Sequence, residues 1–237
     1  MEYQHILYQV ERGRARVTLN RPDKRNALNA VLHTQLLAAL VEADDDARVH
    51  CVVLAGAGKS FCAGADLAEH QASSSLTADE NRARIEQMGE LQLALPGLCK
   101  PVIAAVQGTV LGAGAGLAIS ADIVVMSDDA RLGYPEVPHG MVPTLMFPTL
   151  VRQVGRRAAF ELLFLGEFIS ARRAEALGLA NAVVPAEELL PHCLAIAERF
   201  GAMDTRTLRE AKKLFQGVAD LPLHEGMRVG VEASLGT

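Results

Sequence analysis

The chain of 237 residues has no long apolar run. Nothing approaches the roughly eighteen uninterrupted apolar residues of a membrane-crossing helix, so none is expected and no membrane partner is implied. Positive charge is not in excess either. The formal net charge is −5, which argues against nonspecific nucleic-acid binding, although local basic groups remain able to hold a phosphate. Cysteine is scarce. Cys51, Cys62, Cys99 and Cys193 show no metal-ligand spacing, so no metal site is expected. Three of them sit in apolar or small-residue surroundings and read as buried, reduced thiols, a usage that fits a cytoplasmic protein better than a secreted one. Residues 1–10 include Glu2, Gln4 and His5 and no apolar core, so no targeting segment is visible there. There is no internal repeat, and no low-complexity tract beyond Ser73-Ser74-Ser75.

Half of the residues are hydrophobic, enough for a sizeable core in one large domain or a domain with a small appendage. The chain is organised around residues 100–123, KPVIAAVQGTVLGAGAGLAISADI. An apolar, β-branched run ends at Val106. Gln107 and Gly108 break it, and Gly112-Ala113-Gly114-Ala115-Gly116 opens a second apolar run of helical character. The pattern predicts strand, loop and glycine-rich helix start. The first N–H groups of a helix have no partner within it, and the helix dipole adds partial positive charge there. Side chains this small admit a ligand atom close to the backbone. Such a place suits an oxygen that is, or becomes, negative, although small residues at a strand–helix junction also serve tight packing alone. Two sharper readings fail on spacing. Leu117 stands where a dinucleotide fingerprint needs its third glycine, and Val53 stands where a P-loop ending in Gly58-Lys59-Ser60 needs its first. Cys62 likewise replaces the last glycine of a nucleophile elbow.

Residues 6–10 and 15–19 read as strands joined by a hairpin turn. Leu32, Leu36, Leu37, Leu40 and Val41 share one helical face. Residues 51–55 and 123–126 are short, wholly apolar strands of the buried kind. Residues 72–78 read as a mobile loop, and residues 79–95 as a helix ended by Pro96-Gly97. Successive strand–helix–strand passages indicate crossover units and a mainly parallel sheet. Residues 131–143, rich in glycine and proline, form an irregular loop that carries Glu136. Asp66 reads as a capping or loop-bracing carboxylate. Helices are expected over 145–154, 156–165, 171–177, 187–200 and 204–215, with a last strand at 182–184. The character shifts from α/β to helical near Pro185, which predicts a core over 1–185 and a helical region over 186–237.

Five stretches together resemble the crotonase superfamily, the enoyl-CoA hydratase/isomerase family. They are VTLNRPDKRNALN from Val17, FCAGADL from Phe61, the organising stretch from Lys100, LGYPEV from Leu132 and ISARRAEALGLANAVVP from Ile169. They stand in the family's order. The resemblance implies an α/β crotonase-like (ClpP/crotonase) fold, a spiral of ββα turns with a helical C-terminal region. It also implies a homotrimer or a hexamer of paired trimers, and an acyl-CoA thioester substrate, with coenzyme A entering as part of that substrate and no separate cofactor. The family's oxyanion hole, two backbone N–H groups, matches Ala65 and Ala113. Ala63, Asp66, Leu67 and Ala68 match its CoA-contacting segment, with Gly112 beside them, and Arg25 and Ala27 match the loop that borders the CoA nucleotide.

The sequence also departs from the family pattern. One of the two glutamates of a typical hydratase matches Glu136, but the other position holds Gly116. Met146-Phe147 replaces the usual Gly-Gly pair, and Thr237 falls short of the family's usual last helix. Glu136 alone suffices to move a proton from C2 to C4 of a 3-enoyl-CoA, as general base and then general acid, with its pKa raised by an apolar pocket to which Val137, Met146 and Phe147 contribute. The resemblance therefore points first to isomerisation of 3-enoyl-CoA to 2-enoyl-CoA. Hydration of 2-enoyl-CoA and a non-catalytic acyl-CoA-binding role are the alternatives. The resemblance implies that the N–H groups of Ala65 and Ala113 face one cavity, each at the start of a helix.

Overall fold

Apolar residues at period two build the first turn of the chain. In the computed structural model, which describes residues 3–236, β1 (Ile6–Glu11) and β2 (Arg14–Leu19) form an antiparallel hairpin. Met1, Glu2 and Thr237, at the ends of the two expected regions, lie outside the described residues. The strands β3 (Cys51–Gly56), β4 (Val102–Val106), β6 (Ile123–Ser127) and β9 (Ala182–Val184) extend the hairpin into a six-stranded sheet of order β1-β2-β3-β4-β6-β9. Every pairing after the hairpin is parallel, which demands crossover helices and buries both faces.

Alternation divides the strand residues between two clusters. Val52, Leu54, Val102, Ala104 and Val106 join the main core with Leu32, Leu36 and Leu40 of α1 (Ala30–Asp45). Cys51, Val53, Ile103 and Ala105 face the other way, against Leu189, Cys193 and Ala197 of α7 (Leu189–Gly201). The first long helix after Pro185, α7, thus covers the second face of the sheet.

A second, three-stranded sheet joins β5 (Thr109–Leu111), β7 (Arg131–Gly133) and β8 (Ile169–Ser170) in the order β5-β7-β8. The sequence reading has loop at the first two of these places. Strands of two or three residues are too short to show a period. The expected mobile loop over 72–78 is instead the end of α2 (Leu67–Ala72) and a 3-10 turn. Its serines fix it: Ser73, Ser74 and Ser75 each donate a side-chain hydrogen bond to the carbonyl three residues earlier. Thr77 and Glu80 then form a capping box that starts α3 (Ala78–Gly97).

The remaining helices are α4 (Gly112–Ile119), α5 (Met146–Leu165), α6 (Ala171–Ala176), α8 (Thr205–Val218) and α9 (Leu223–Leu235). Gly155 breaks α5 with φ 74, so the two helices expected on either side of it are both present. The sequence reading does not contain α9, where two glycines lower the helix propensity and no residue is buried. No helix among the described residues is long and apolar enough to cross a membrane.

Candidate active site

Three segments distant in sequence are stitched together at the end of β3. Ala63 N–H donates to Arg25 O at 2.9 Å, Leu28 N–H to Gly64 O at 2.8 Å, and Asp66 N–H to Leu28 O at 3.0 Å. On the other side Leu111 N–H donates to Cys62 O at 3.0 Å. Residues 62–65 therefore lie between the 25–28 loop and the β5–α4 junction. Gly64 makes this approach possible. Its φ is +88, and a Cβ there would stand 2.8 Å from Leu111 O and 3.6 Å from Ala113 N.

Ala65 precedes Asp66, the capping residue of α2, and Ala113 lies in the uncapped first turn of α4. Neither N–H has an acceptor among the described residues. Both residues line one cavity of about 460 Å³, and Glu136 lines it too. The carboxylate of Glu136 lies against the start of α4, because a Cβ on Gly112 (φ +49) would collide with Glu136 Oε1. The loop that carries it is held from within: His139 N–H and Met141 N–H both donate to Glu136 O, at 3.0 and 2.9 Å. Its Oε2 is buried with no hydrogen-bond partner, and burial pushes its pKa above the ordinary carboxylate value. Two unpartnered donors and one reluctant carboxylate thus share one cavity. The arrangement suits a substrate oxygen that becomes negative while a neighbouring carbon gains or loses a proton.

The family model described as Enoyl-CoA hydratase/isomerase matches residues 9–233. The chain belongs to this family. It is 40% identical over 229 residues to a putative enoyl-CoA hydratase of Thermus thermophilus, covering 96% of this chain and 90% of that one. It is 35% identical over 229 residues to a probable enoyl-CoA hydratase of Rhizobium meliloti, covering 96% and 87% of the two chains. The crystal structure of an enoyl-CoA hydratase of Mycobacterium smegmatis superposes with a TM-score of 0.92 at 33% identity, over 98% of this chain and 90% of that one. The fold is the crotonase fold, and the protein is an enzyme of the enoyl-CoA hydratase/isomerase type.

Around the hydratase/isomerase cavity stand Arg25, Ala63, Leu67 and Gly112 of the expected CoA-binding set, together with Ala65, Ala113 and Glu136. Ala27, Asp66 and Ala68 do not line it. Asp66 braces the loop instead. Its carboxylate accepts from Ala68 N–H at 3.1 Å and pairs with Arg21 Nη1 at 3.0 Å. Burial would raise its pKa, but the hydrogen bonds from Arg21 and from the Glu69 and Ala68 N–H groups outweigh that and hold it low. Arg21 also donates to Ala27 O at 2.5 Å. Met146 borders the cavity, but Val137 and Phe147 do not. The Phe147 ring turns instead toward Phe164, with centroids 6.3 Å apart.

One residue absent from the sequence reading stands beside the vacant glutamate position. Gln92 of α3 is 6% exposed, and its Nε2 donates to Ala113 O at 3.3 Å. Its Oε1 has no partner. A Cβ at Gly116 would lie 2.5 Å from both Gln92 Oε1 and Met146 Sδ. These two tips fill the space that a longer side chain at position 116 would claim. The available signal was a polar residue set among Met88, Leu91 and Leu95 on the inward face of a helix. His33 and Arg84 also line the cavity and were likewise not foreseen.

Proposed function

We propose that the protein adds water to 2-enoyl-CoA thioesters, giving 3-hydroxyacyl-CoA. The observation that carries this reading is that Glu136 and Gln92 both border the cavity of the Ala65 and Ala113 donors, each with one acceptor oxygen, Oε2 and Oε1, that has no hydrogen-bond partner. The thioester oxygen accepts from the two N–H groups. A water donates one O–H to the Glu136 carboxylate and the other to Gln92 Oε1. As its oxygen bonds to C3, Glu136 takes the first proton and the electron pair moves through C2 to the thioester oxygen. The enolate so formed is held by the two donors, a stabilisation of the kind that costs about 3–4 kcal/mol per donor when lost. Glu136 then returns its proton to C2, and the atoms and charge balance. Coenzyme A takes part only as the carrier of the acyl group.

Gly116 favours a second reading, allylic isomerisation of 3-enoyl-CoA, because that reaction needs one carboxylate and no held water. Gln92 and the hydratase names of the relatives support hydration as the leading activity. A purified sample given crotonyl-CoA and, separately, a 3-enoyl-CoA distinguishes the two by product. Gln92→Leu is expected to depress hydration by about tenfold or more, in line with the loss of one hydrogen bond to a reacting water, and to depress isomerisation less. Faster isomerisation than hydration in the wild type would reverse the order. Tight binding of acyl-CoA with no turnover of either substrate would make this a binding protein.

A further inference from the structure

We propose that the acyl side of the cavity holds a carboxylate, so that the preferred thioesters carry a second acid group at the far end of a short acyl chain. The proposal deepens the reading above and rests on it for the placement of the thioester. Arg84 lines the cavity from α3, beside Ile85 and Met88. Its guanidinium meets only neutral acceptors: Nε and Nη2 reach Asn81 Oδ1 at 3.4 and 3.2 Å, and Nη1 lies 3.5 Å from Met88 Sδ. No carboxylate pairs with it among the described residues. The two that border the adjoining recess are engaged elsewhere, Asp66 with Arg21 and Glu69 with Ala30 N–H at 2.9 Å. An arginine stays charged under all ordinary conditions, and a half-buried charge without a counter-ion is costly. A bidentate carboxylate is the group its planar fork fits best.

His33 gives a second, independent sign. It is 5% exposed, borders the same cavity, and its Nδ1 has no hydrogen-bond partner. Burial, and then the charge of Arg84, hold its pKa down to about 4. The ring is therefore neutral at pH 7, free to donate one N–H to an anion without adding charge of its own. A cation without a carboxylate counter-ion and a neutral donor without a hydrogen-bond partner stand at one cavity. The Arg84 head lies against Met88, and Met88 stands one helical turn, about 6 Å along the axis of α3, before Gln92, so a short diacid chain is called for. A methyl-ended chain would leave Arg84 without a counter-ion and His33 without an acceptor, the kind of situation in which polar sites discriminate most strongly.

Titration calorimetry with adipoyl-CoA and hexanoyl-CoA tests this without requiring turnover. The wild type is expected to bind adipoyl-CoA about tenfold or more tightly than hexanoyl-CoA, the gain of one charge-assisted hydrogen-bonded pair. Arg84→Met should bring that preference to within about twofold by weakening adipoyl-CoA selectively, and Arg84→Lys should restore part of it. Equal or tighter binding of hexanoyl-CoA by the wild type overturns the proposal. So does an Arg84→Met variant that weakens both ligands alike, because Arg84 then holds a CoA phosphate. Failure of the hydration reading shows separately, as intact preference in binding with no turnover of either enoyl-CoA.

Discussion

Glu136 is asked to be ionised where ionisation is disfavoured. Its raised pKa puts the acid limb of kcat/KM above the ordinary glutamate value of about 4.3, with activity rising as pH rises through it. Glu136→Gln should cost about 10²–10⁴ in rate and leave acyl-CoA affinity nearly intact. The same substitution has a second expected effect. A carboxyl whose pKa is higher in the folded chain binds its proton more tightly there, so stability falls as pH rises from the unfolded value through the folded one. Glu136→Gln should therefore raise the Tm at pH 7 and give little gain below about pH 4. His33 has the opposite sign. With a pKa of about 4 against an ordinary 6.5, its contribution is lost as pH falls through that window, and thermal melts of His33→Leu should show a shallower acid decline than wild type. Glu136, Ala65 and Ala113 could be picked out because each lies in a motif with fixed neighbours, and the fold brings all three to one cavity. Gln92, His33 and Arg84 could not, since what marks them, an acceptor or ring nitrogen without a partner or a charge without a counter-ion, is a property of the assembled cavity.

The central parallel strands β3, β4 and β6 could be read from composition, because a strand buried on both faces must be apolar throughout. The β5-β7-β8 sheet could not, nor could α9. The docking of α8 has an equally hidden cause. Lys212 reaches into the core, where its Nζ donates to Asp122 Oδ2 at 2.6 Å, Lys100 O at 2.9 Å and Leu95 O at 3.2 Å. Asp122 also accepts from Val102 N–H at 2.7 Å, at the start of β4. On an amphipathic helix a lysine reads as solvated, and only the fold reveals this one as a bolt. Lys212→Met should destabilise the chain by about 3 kcal/mol, as removal of one partner of a buried pair does. Urea unfolding measures the loss. Adding Asp122→Asn should recover part of it, because the stranded charge is then gone.

Across the whole molecule, large apolar side chains cluster on the outer helices. Phe215 on α8 and Leu223, Met227, Val231 and Leu235 on α9 are 64%, 83%, 64%, 54% and 79% exposed. A surface of this kind is normally covered by a partner. Light scattering at micromolar concentration is expected to give a homotrimer or a hexamer, and a stable monomer would contradict it. The helices α7 and α8 were legible as amphipathic. That one of them, α7, roofs the second face of the sheet was not, because apolar faces do not name their targets. The stitching of the 25–28, 62–65 and 111–113 segments carries a last consequence. No secondary element by itself contains two of the three groups proposed to be catalytic, and no short peptide excised from the chain would hold them in register. Turnover is thus a gauge of tertiary order alone. During gradual acidification or gentle heating, catalysis should vanish together with near-ultraviolet dichroism while the far-ultraviolet helical signal persists, so a simple assay would report loosening of the fold before melting of its helices.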